Sequence, residues 1–312
     1  MNMHGADLES GPILVTGAGG FVGRHLMSHL GMGGGDIAAD ATTDFEAPEG
    51  VRKIAWSLPS EAPAELGEVR YIVHLAAMSS VSRSLREVHK AYEINLMGTV
   101  SVMEHMVSRC PGARLLLVSS AEVYRSSDGL ITETSAIGPR NPYGTTKAAA
   151  EIAAFQFARN YDLDILVTRA FPHFGPGQSD GFAFPSFCRR ILAARSTGER
   201  SIPVGNLKPV RDYLYVTDVA RAYACILARG LSGSIYNVCT GHGNSIADMV
   251  RMLIRISGAD LDLRVDPELF RPADVEFQVG DPSKLTALLG WNPLVGREEG
   301  LSRLFRWWEE RA

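Results

Sequence analysis

The chain has no long apolar run, no excess of positive charge and few cysteines. Each of these absences excludes a class of protein. No apolar stretch approaches the roughly 20 residues that a helix needs to cross a bilayer. The net charge is −4, so no basic surface indicates nucleic-acid binding. The first segment, MNMHGADLESG, lacks the basic and apolar parts of a signal peptide. We therefore expect a cytoplasmic protein with no nucleic-acid or membrane partner.

The four cysteines, Cys110, Cys188, Cys225 and Cys239, lie far apart and form no C-x-x-C pair. This spacing predicts reduced and mostly buried thiols rather than a disulfide framework or a zinc site, and we expect no metal. The chain has 312 residues, of which 46% are hydrophobic. That composition is sufficient for one large domain, or for two that are closely joined.

In the first half of the chain, short apolar runs alternate with helical patterns. Strand-like runs occupy residues 12–16, 36–40, 70–76, 114–119 and 164–170, and helical patterns occupy residues 90–106 and 143–160. Strands separated by helices imply βαβ units and a parallel sheet.

The second half is less regular. It reads as a long loop at 171–187, strands at 201–204, 234–238 and 262–265, and helices at 186–194, 246–257 and 301–311. This pattern predicts a smaller C-terminal lobe on a doubly wound sheet.

Three glycines follow the first predicted strand. Gly17, Gly20 and Gly23 have the spacing G-x-x-G-x-x-G and lead into a helix. Glycines permit a tight turn and a close approach of the backbone to a pyrophosphate, and the helix N-terminus offers free N–H groups to that anion. The alternative is a plain strand-to-helix turn, but the strand–loop–helix context favours nucleotide binding. Phe21 and Val22 belong to the same predicted site.

Asp40 stands at the end of the second predicted strand, about where a dinucleotide-binding acid is expected. Its carboxylate would accept hydrogen bonds from the ribose hydroxyls of NAD and would repel the 2′-phosphate of NADP. No arginine lies nearby to bind that phosphate. The sequence therefore favours NAD over NADP, and the alternative reading of Asp40 is an ordinary loop aspartate.

Tyr143 and Lys147 stand four residues apart in NPYGTTKAAAE, at the predicted start of a helix. Such a pair can simply cover a helix surface. Ser120, however, follows a buried strand at the sheet edge where ligands bind. We expect Lys147 to lower the phenol pKa and to hold the nicotinamide ribose. Tyr143 would then exchange a proton with a sugar or alcohol oxygen that Ser120 also holds.

The segments TGAGGFVG, HLAA, NLMGT, SSAEVY, PYGTTK and RDYLYVTDV resemble the extended short-chain dehydrogenase/reductases that act on nucleotide sugars. The resemblance runs from about residue 13 to the C-terminus. It implies an α/β fold, a doubly wound parallel Rossmann sheet with a smaller α/β C-terminal substrate lobe. The implied dinucleotide-binding domain comprises residues 1–171 and about 205–240, and the nucleotide-sugar-binding lobe comprises about 172–204 and 241–312.

The same resemblance implies roles for individual residues. Ser120, Tyr143 and Lys147 match the catalytic triad. Asn95 matches a helix asparagine that is structural or part of a proton relay. Residues 74–77 match the segment that passes the cofactor, so Leu75, Ala76 and Ala77 join the predicted NAD or NADP site.

Motifs in the second half, among them FPHFGPGQ and RPADVEFQVGD, are most similar to GDP-4-keto-6-deoxy-D-mannose reductases, which form GDP-D-rhamnose. This similarity implies reduction of a C4 ketone by NADH or NADPH. GDP-mannose 4,6-dehydratases share much of the pattern. A 4,6-dehydratase or 4-epimerase that recycles NAD therefore stays open, as does a non-catalytic dinucleotide-binding sensor.

The resemblance also implies a substrate site for a GDP-sugar. Arg211 and Arg271 match diphosphate-contacting arginines, and Arg189 is a weaker third candidate. Ser80, Ser120, Glu122 and His173 complete the predicted substrate contacts. Glu122 has three readings, as a vestige, a hydroxyl binder or a working base. His173 either contacts substrate or packs.

Three positions depart from the family pattern. Pro172 replaces an asparagine that usually contacts substrate, Arg125 replaces the glycine that usually follows VY, and Ser57 replaces an aspartate that often meets the adenine ring. The first two leave the exact sugar open. The resemblance further implies a homodimer through a four-helix bundle, built from helices near residues 88–109 and 143–160.

Overall fold

The computed structural model describes residues 8–270 and 275–312. The strands are β1 (Ile13–Thr16), β2 (Ile37–Asp40), β3 (Arg52–Ala55), β4 (Tyr71–His74), β5 (Arg114–Ser120), β6 (Asp164–Ala170), β7 (His173–Phe174), β8 (Ser201–Val204), β9 (Val210–Asp212), β10 (Leu214–Tyr215), β11 (Ile235–Val238), β12 (Gly243–Ser245), β13 (Asp262–Val265) and β14 (Phe277–Gln278). The α-helices are α1 (Phe21–Leu30), α2 (Val81–Arg86), α3 (Val88–Tyr92), α4 (Gly98–Arg109), α5 (Pro142–Tyr161), α6 (Ala183–Thr197), α7 (Val216–Arg229), α8 (Ile246–Ser257), α9 (Ser283–Leu289) and α10 (Arg297–Glu309).

Seven parallel strands form the central sheet, in the order β11-β6-β5-β4-β1-β2-β3. The chain runs outward from β1 to β3 and then returns to place β4 on the other side of β1. This reversal makes β1 and β4 the switch point, where an open parallel sheet binds its ligands beyond the strand carboxyl ends. The prediction of a doubly wound parallel α/β sheet is confirmed.

The strands are apolar on both faces because helices cover both sides of the sheet. Val15 and Leu116 belong to a cluster on the face packed by α1 and α7. Leu14 and Leu115, one position earlier on the same strands, belong to the cluster on the face packed by α4 and α5. The alternation of side chains along a strand thus divides one apolar run between two cores.

A third apolar cluster lies outside the main sheet, among α6, α8 and α10. Three small sheets accompany it: β7 with β10, β8 with β13, and β9 between β12 and β14. The predicted loop at 171–187 is partly wrong, because it contains β7 and the first turns of α6. Pro185 falls in the first turn of α6, where proline does not break a helix.

The helical region predicted before β5 is present but not uniform. Helices α3 and α4 are joined without a break by a π-helical turn, Glu93–Met97, so the helix runs from Val88 to Arg109. Such wide turns are often found at functional sites. Here the turn places Asn95 in the interior.

Within residues 8–270 and 275–312, no helix is long and apolar enough to cross a membrane. The same residues contain no group of three His, Cys, Asp or Glu side chains that could hold a metal ion. The four cysteines are buried free thiols, as the spacing predicted.

Candidate functional site

The glycine loop lies between β1 and α1, at the switch point of the sheet. Gly17 has a φ of +69°, and a Cβ there would lie 2.6 Å from the backbone nitrogen of Ala76. A Cβ on Gly23 would lie 2.5 Å from the carbonyl oxygen of Ala18. Only glycine fits both positions. No side chain caps the start of α1, so its first N–H groups can receive a pyrophosphate. The loop therefore fits the dinucleotide that the sequence predicted.

The segment after β4 packs directly against the glycine loop. The N–H of Leu75 donates to the carbonyl oxygen of Thr16 (3.1 Å), and the N–H of Ala76 points at the Thr16 hydroxyl oxygen (3.4 Å). Leu75, Ala76 and Ala77 are all partly exposed. These contacts place the two predicted cofactor segments side by side.

Asp40 is the last residue of β2, as predicted. Its Oδ2 accepts a hydrogen bond from the N–H of Gly19 (3.0 Å), and its Oδ1 accepts from the N–H of Ala41 (2.7 Å). The carboxylate is thereby held against the glycine loop. Its negative charge lies at the end of β2, where the adenosine ribose of a dinucleotide is expected.

The structure brings Ser120, Tyr143 and Lys147 together. Ser120 ends β5, and Tyr143 is the second residue of α5, whose N-terminus is capped by the side chain of Asn141. The side chain of Ser120 lies close enough to the phenol of Tyr143 to lower its pKa. Lys147, one turn further along α5, is buried and donates from Nζ to the carbonyl oxygen of Val118 (2.8 Å). A hydroxyl, a phenol and an ammonium thus share the carboxyl edge of the sheet.

The expected lowering of the phenol pKa is not found. Burial raises the pKa of Tyr143 to about 12, and the carboxylate of Glu122 acts in the same direction, while the neighbouring Ser120 side chain opposes them. Burial also lowers the pKa of Lys147 to about 8, against the opposing charge of Glu151. Desolvation disfavours the charged form of both groups, and it is the largest cause of both shifts.

Glu122 lies beside the Ser120–Tyr143 pair. Its N–H donates to Ser120 Oγ (3.2 Å), and its Oε2 accepts from Asn141 Nδ2 (2.7 Å). The other side-chain atom of Asn141, Oδ1, accepts from the N–H of Gly144 (2.8 Å). Asn141 thus fixes the carboxylate of Glu122 to the start of α5.

His173 packs against the glycine loop, because its ring stacks on that of Phe21 with centroids 6.1 Å apart and planes at 13°. Its Nδ1–H donates to the carbonyl oxygen of Phe171 (3.0 Å), and burial lowers its pKa. A predicted substrate residue and a predicted cofactor residue are therefore in direct contact. The Nε2 atom of this neutral ring is left as an acceptor.

The predicted arginines have different surroundings. Arg211 is buried in β9 and donates to the carbonyl oxygen of Val210 (3.0 Å). Arg189 is exposed and pairs with Asp180 (2.7 Å), which weakens it as a candidate. Arg271 lies outside the described residues. Ser80 caps the short helix α2 by accepting from the N–H of Arg83 (3.2 Å), so its hydroxyl already has a local partner.

A small cavity lies next to Glu122. Arg125 and Arg140 line it on one side, and Phe277 and Gln278 line it on another. Gln278 pairs in register with Arg211 across β14 and β9. The cavity therefore adjoins both Glu122 and the strand that carries a candidate diphosphate ligand.

Residues 65–304 match the family model described as GDP-mannose 4,6 dehydratase. The chain is 30% identical to GDP-6-deoxy-D-mannose reductase of Pseudomonas aeruginosa, over 96% of this chain and 98% of that protein. The chain belongs to the GDP-mannose 4,6-dehydratase family. It is thus an enzyme of the extended short-chain dehydrogenase/reductase class, as its motifs indicated.

Solved structures of other proteins agree with this family. The structure of RMD from Pseudomonas aeruginosa, complexed with NADPH, is similar with a TM-score of 0.81 and 29% identity, covering 97% of this chain and 100% of that one. The dTDP-glucose 4,6-dehydratase DesIV of Streptomyces venezuelae, in a complex with NAD, is similar with a TM-score of 0.85 and 28% identity, covering 96% and 97%.

Within this family fold, the sequence did not single out several residues that shape the site. Ser84 of α2 accepts from the N–H of Tyr143 (3.2 Å), and Asn141 holds Glu122 as described above. The Asn–Pro pair at the start of α5 was a usable signal, because asparagine is a preferred N-cap and proline a preferred first helical residue. Ser84 gave no such signal.

Proposed function

We propose that the chain reduces the C4 ketone of a nucleotide-linked 4-keto-6-deoxy sugar, with NADH or NADPH as reductant. The best candidate substrate is GDP-4-keto-6-deoxy-D-mannose, and the product would be GDP-D-rhamnose. The observation that carries the proposal is the position of Tyr143 beside Ser120, on the helix that also carries buried Lys147. The similarity to a GDP-6-deoxy-D-mannose reductase supports the choice of sugar.

The cofactor would lie across the glycine loop and the adjacent segment after β4. Gly17, Gly20, Phe21, Val22 and Gly23 would hold its pyrophosphate, Asp40 its adenosine ribose, and Leu75, Ala76, Ala77, Tyr143 and Lys147 its nicotinamide half. When bound, the reduced nicotinamide supplies a hydride to the sugar carbon. Asp40 favours NADH, and Lys147 Nζ, already fixed by Val118, has further hydrogens for ribose oxygens.

The proton would come from Tyr143. With its pKa raised to about 12, the phenol is protonated at neutral pH, which is the form that a reductase needs at its ketone oxygen. Ser120 Oγ accepts from the N–H of Glu122, and its hydroxyl hydrogen would be donated to the same ketone oxygen when the sugar binds. Lys147 would stabilise the phenolate that forms as the proton leaves.

The sugar and the nucleotide would extend away from this edge. Ser80, Glu122 and His173 are the proposed sugar contacts, and Arg211 and Arg271 the proposed diphosphate contacts, with Arg189 a weaker third. Asn141 fixes the carboxylate of Glu122 near Tyr143, where it could bind a sugar hydroxyl. The same position would suit a base, and it keeps a 4,6-dehydratase as the second candidate.

We also propose a cytoplasmic homodimer. The continuous helix α3–α4 and the helix α5 expose large apolar side chains, among them Val88, Tyr92, Met97 and Ile152. Pairing of these helices into a four-helix bundle would cover them. We further propose the division into a dinucleotide-binding domain (1–171 and about 205–240) and a nucleotide-sugar-binding lobe (about 172–204 and 241–312).

The test follows the absorbance of reduced cofactor after purified protein meets NADH or NADPH and GDP-4-keto-6-deoxy-D-mannose. We expect a stoichiometric loss that Tyr143→Phe abolishes. Tyr161→Phe, an exposed change at the far end of the same helix, should leave the rate unchanged.

Other outcomes identify the alternatives. Dehydration of GDP-mannose, or epimerisation at C4, without net loss of reduced cofactor would replace the reductase by a dehydratase or epimerase. Cofactor binding without turnover of any of these sugars, and no effect of Tyr143→Phe, would indicate a sensor.

A further inference from the structure

The buried histidine at the end of β4 has no part in the proposed reaction. His74 is fully buried, yet both of its ring nitrogens have partners. Nδ1 lies 2.7 Å from Thr16 Oγ1, and Nε2 lies 3.1 Å from Thr99 Oγ1. One partner ends β1, immediately before the glycine loop. The other lies on α4, directly after the π-helical turn.

The direction of each hydrogen bond follows from the partners. Thr99 donates its hydroxyl hydrogen to the carbonyl oxygen of Asn95 (2.7 Å), so its oxygen can only accept from His74. Nε2 therefore carries the ring proton. Nδ1 of the neutral ring must then accept, and Thr16 donates to it. The Thr16 oxygen remains free to accept from the N–H of Ala76 (3.4 Å).

The line of contacts continues through the side chain of Asn95 to α5. Asn95 Oδ1 accepts from the N–H of Met78 (2.7 Å), and Nδ2 donates to Thr146 Oγ1 (2.9 Å). Thr146 in turn donates to the carbonyl oxygen of Tyr143 (2.8 Å). Buried polar groups thus connect the glycine loop to the backbone of the proposed proton donor.

We propose that His74 is a positioning residue, which fixes helix α5 relative to the glycine loop through Thr16, Thr99 and Asn95. The inference rests on the proposed function, because it assigns His74 to the geometry of that hydride and proton transfer. Reaction at one carbon requires the nicotinamide and the Tyr143 hydroxyl to keep a fixed separation. A displacement of about 1 Å can reduce a rate by roughly a hundredfold.

The test compares substitutions that keep or remove the two ring contacts. His74→Gln offers an acceptor and a donor at a similar separation, whereas His74→Leu offers neither. Thr99→Val removes the next hydroxyl at nearly constant volume. Its matched control is Thr168→Val, another fully buried threonine, on β6 and outside the line.

We expect His74→Leu and Thr99→Val to lower kcat by about 10- to 100-fold per folded molecule. The KM for the sugar should stay within about threefold, because the substrate contacts are unchanged. His74→Gln should restore most of kcat, and Thr168→Val should match the wild type. Folding of each variant is checked by circular dichroism.

A folded His74→Leu or Thr99→Val enzyme with wild-type kcat would overturn the proposal, as would a His74→Gln enzyme no faster than His74→Leu. If His74→Leu does not fold, Thr99→Val decides by the same criterion, and a His74→Gln enzyme no faster than Thr99→Val would also overturn the proposal. If the wild type turns over no nucleotide sugar, the proposed function fails, and NADH fluorescence then tests His74. We expect NADH to bind roughly tenfold more weakly to His74→Leu or Thr99→Val than to His74→Gln, since Thr16 adjoins the loop. Equal affinities would overturn the proposal.

Discussion

Acid should destabilise the folded protein through His74. Burial lowers the pKa of His74 from 6.5 to about 3, and the charge of Lys147 acts in the same direction. Below about pH 6.5 the unfolded chain binds a proton at this position, whereas the folded protein does not until about pH 3. Because the unfolded state binds more protons, the free energy of unfolding must fall as the pH falls through this window.

The size of the effect follows from the two pKa values. Each pH unit below 6.5 costs about 1.36 kcal/mol, so acidification from about pH 7.5 to about pH 5 should remove about 2 kcal/mol. At about pH 5 the loss of stability is determined by the pKa of His74 in the unfolded chain. The pKa in the folded protein hardly affects it, as long as that pKa stays below about 4. The loss is a substantial part of the ~5–15 kcal/mol that stabilises a typical protein.

The assay is urea unfolding followed by tryptophan fluorescence, at both pH values and one protein concentration. Burial also lowers the pKa of His25, His105 and His173, so the total loss contains other contributions. His74→Gln cannot titrate and isolates the His74 share. We expect the wild type to lose about 2 kcal/mol more than His74→Gln between the two pH values. Equal losses would refute the reasoning, since they would mean that His74 is protonated in the folded state at about pH 5.

Three further predictions concern the site. Because burial lowers the pKa of Lys147 to about 8, kcat should fall as the pH rises above about 8. Lys147→Arg should remove this decline if it keeps activity. A wild-type kcat that stays constant up to about pH 10 would contradict the role of the ammonium. Asp40→Ala should raise kcat/KM for NADPH relative to NADH by about tenfold, because it removes the charge that repels a 2′-phosphate. Parallel titrations with the two cofactors measure this ratio. An unchanged ratio would show that Asp40 does not select the cofactor. Glu122→Gln should keep kcat for ketone reduction within about tenfold of the wild type, because the amide can still bind a sugar hydroxyl. A loss of roughly a thousandfold would indicate that Glu122 acts as a base.

The elements that were predicted correctly are those with a local cause. β1, β5 and β6 are apolar runs flanked by turn or helix signals. The glycine loop was recognisable because a close approach of the backbone requires glycine at these positions. Helix α6 begins earlier than predicted because Pro185, a helix breaker elsewhere, is tolerated in a first turn.

The contacts that were not predicted depend on tertiary packing. The π-helical turn around Asn95 and the two partners of His74 join segments far apart in the chain, and periodicity contains no information on them. The phenol pKa of Tyr143 could not be predicted either, because it too depends on tertiary packing. The residue types and spacing of Tyr143 and Lys147 predicted proximity to Ser120, but whether charge or burial dominates the phenol pKa depends on how much of the site is desolvated.

The position of β11 affects how the protein can be made. Strand β6 ends at Ala170, but its outer neighbour in the sheet is β11, which ends at Val238. A ribosome that adds ~5–20 residues per second needs several seconds to supply that intervening length. During this interval the apolar β6 has an unpaired edge, which is a template for aggregation. Slow translation between these strands, or a chain that stops before β11, should therefore increase the demand for chaperones.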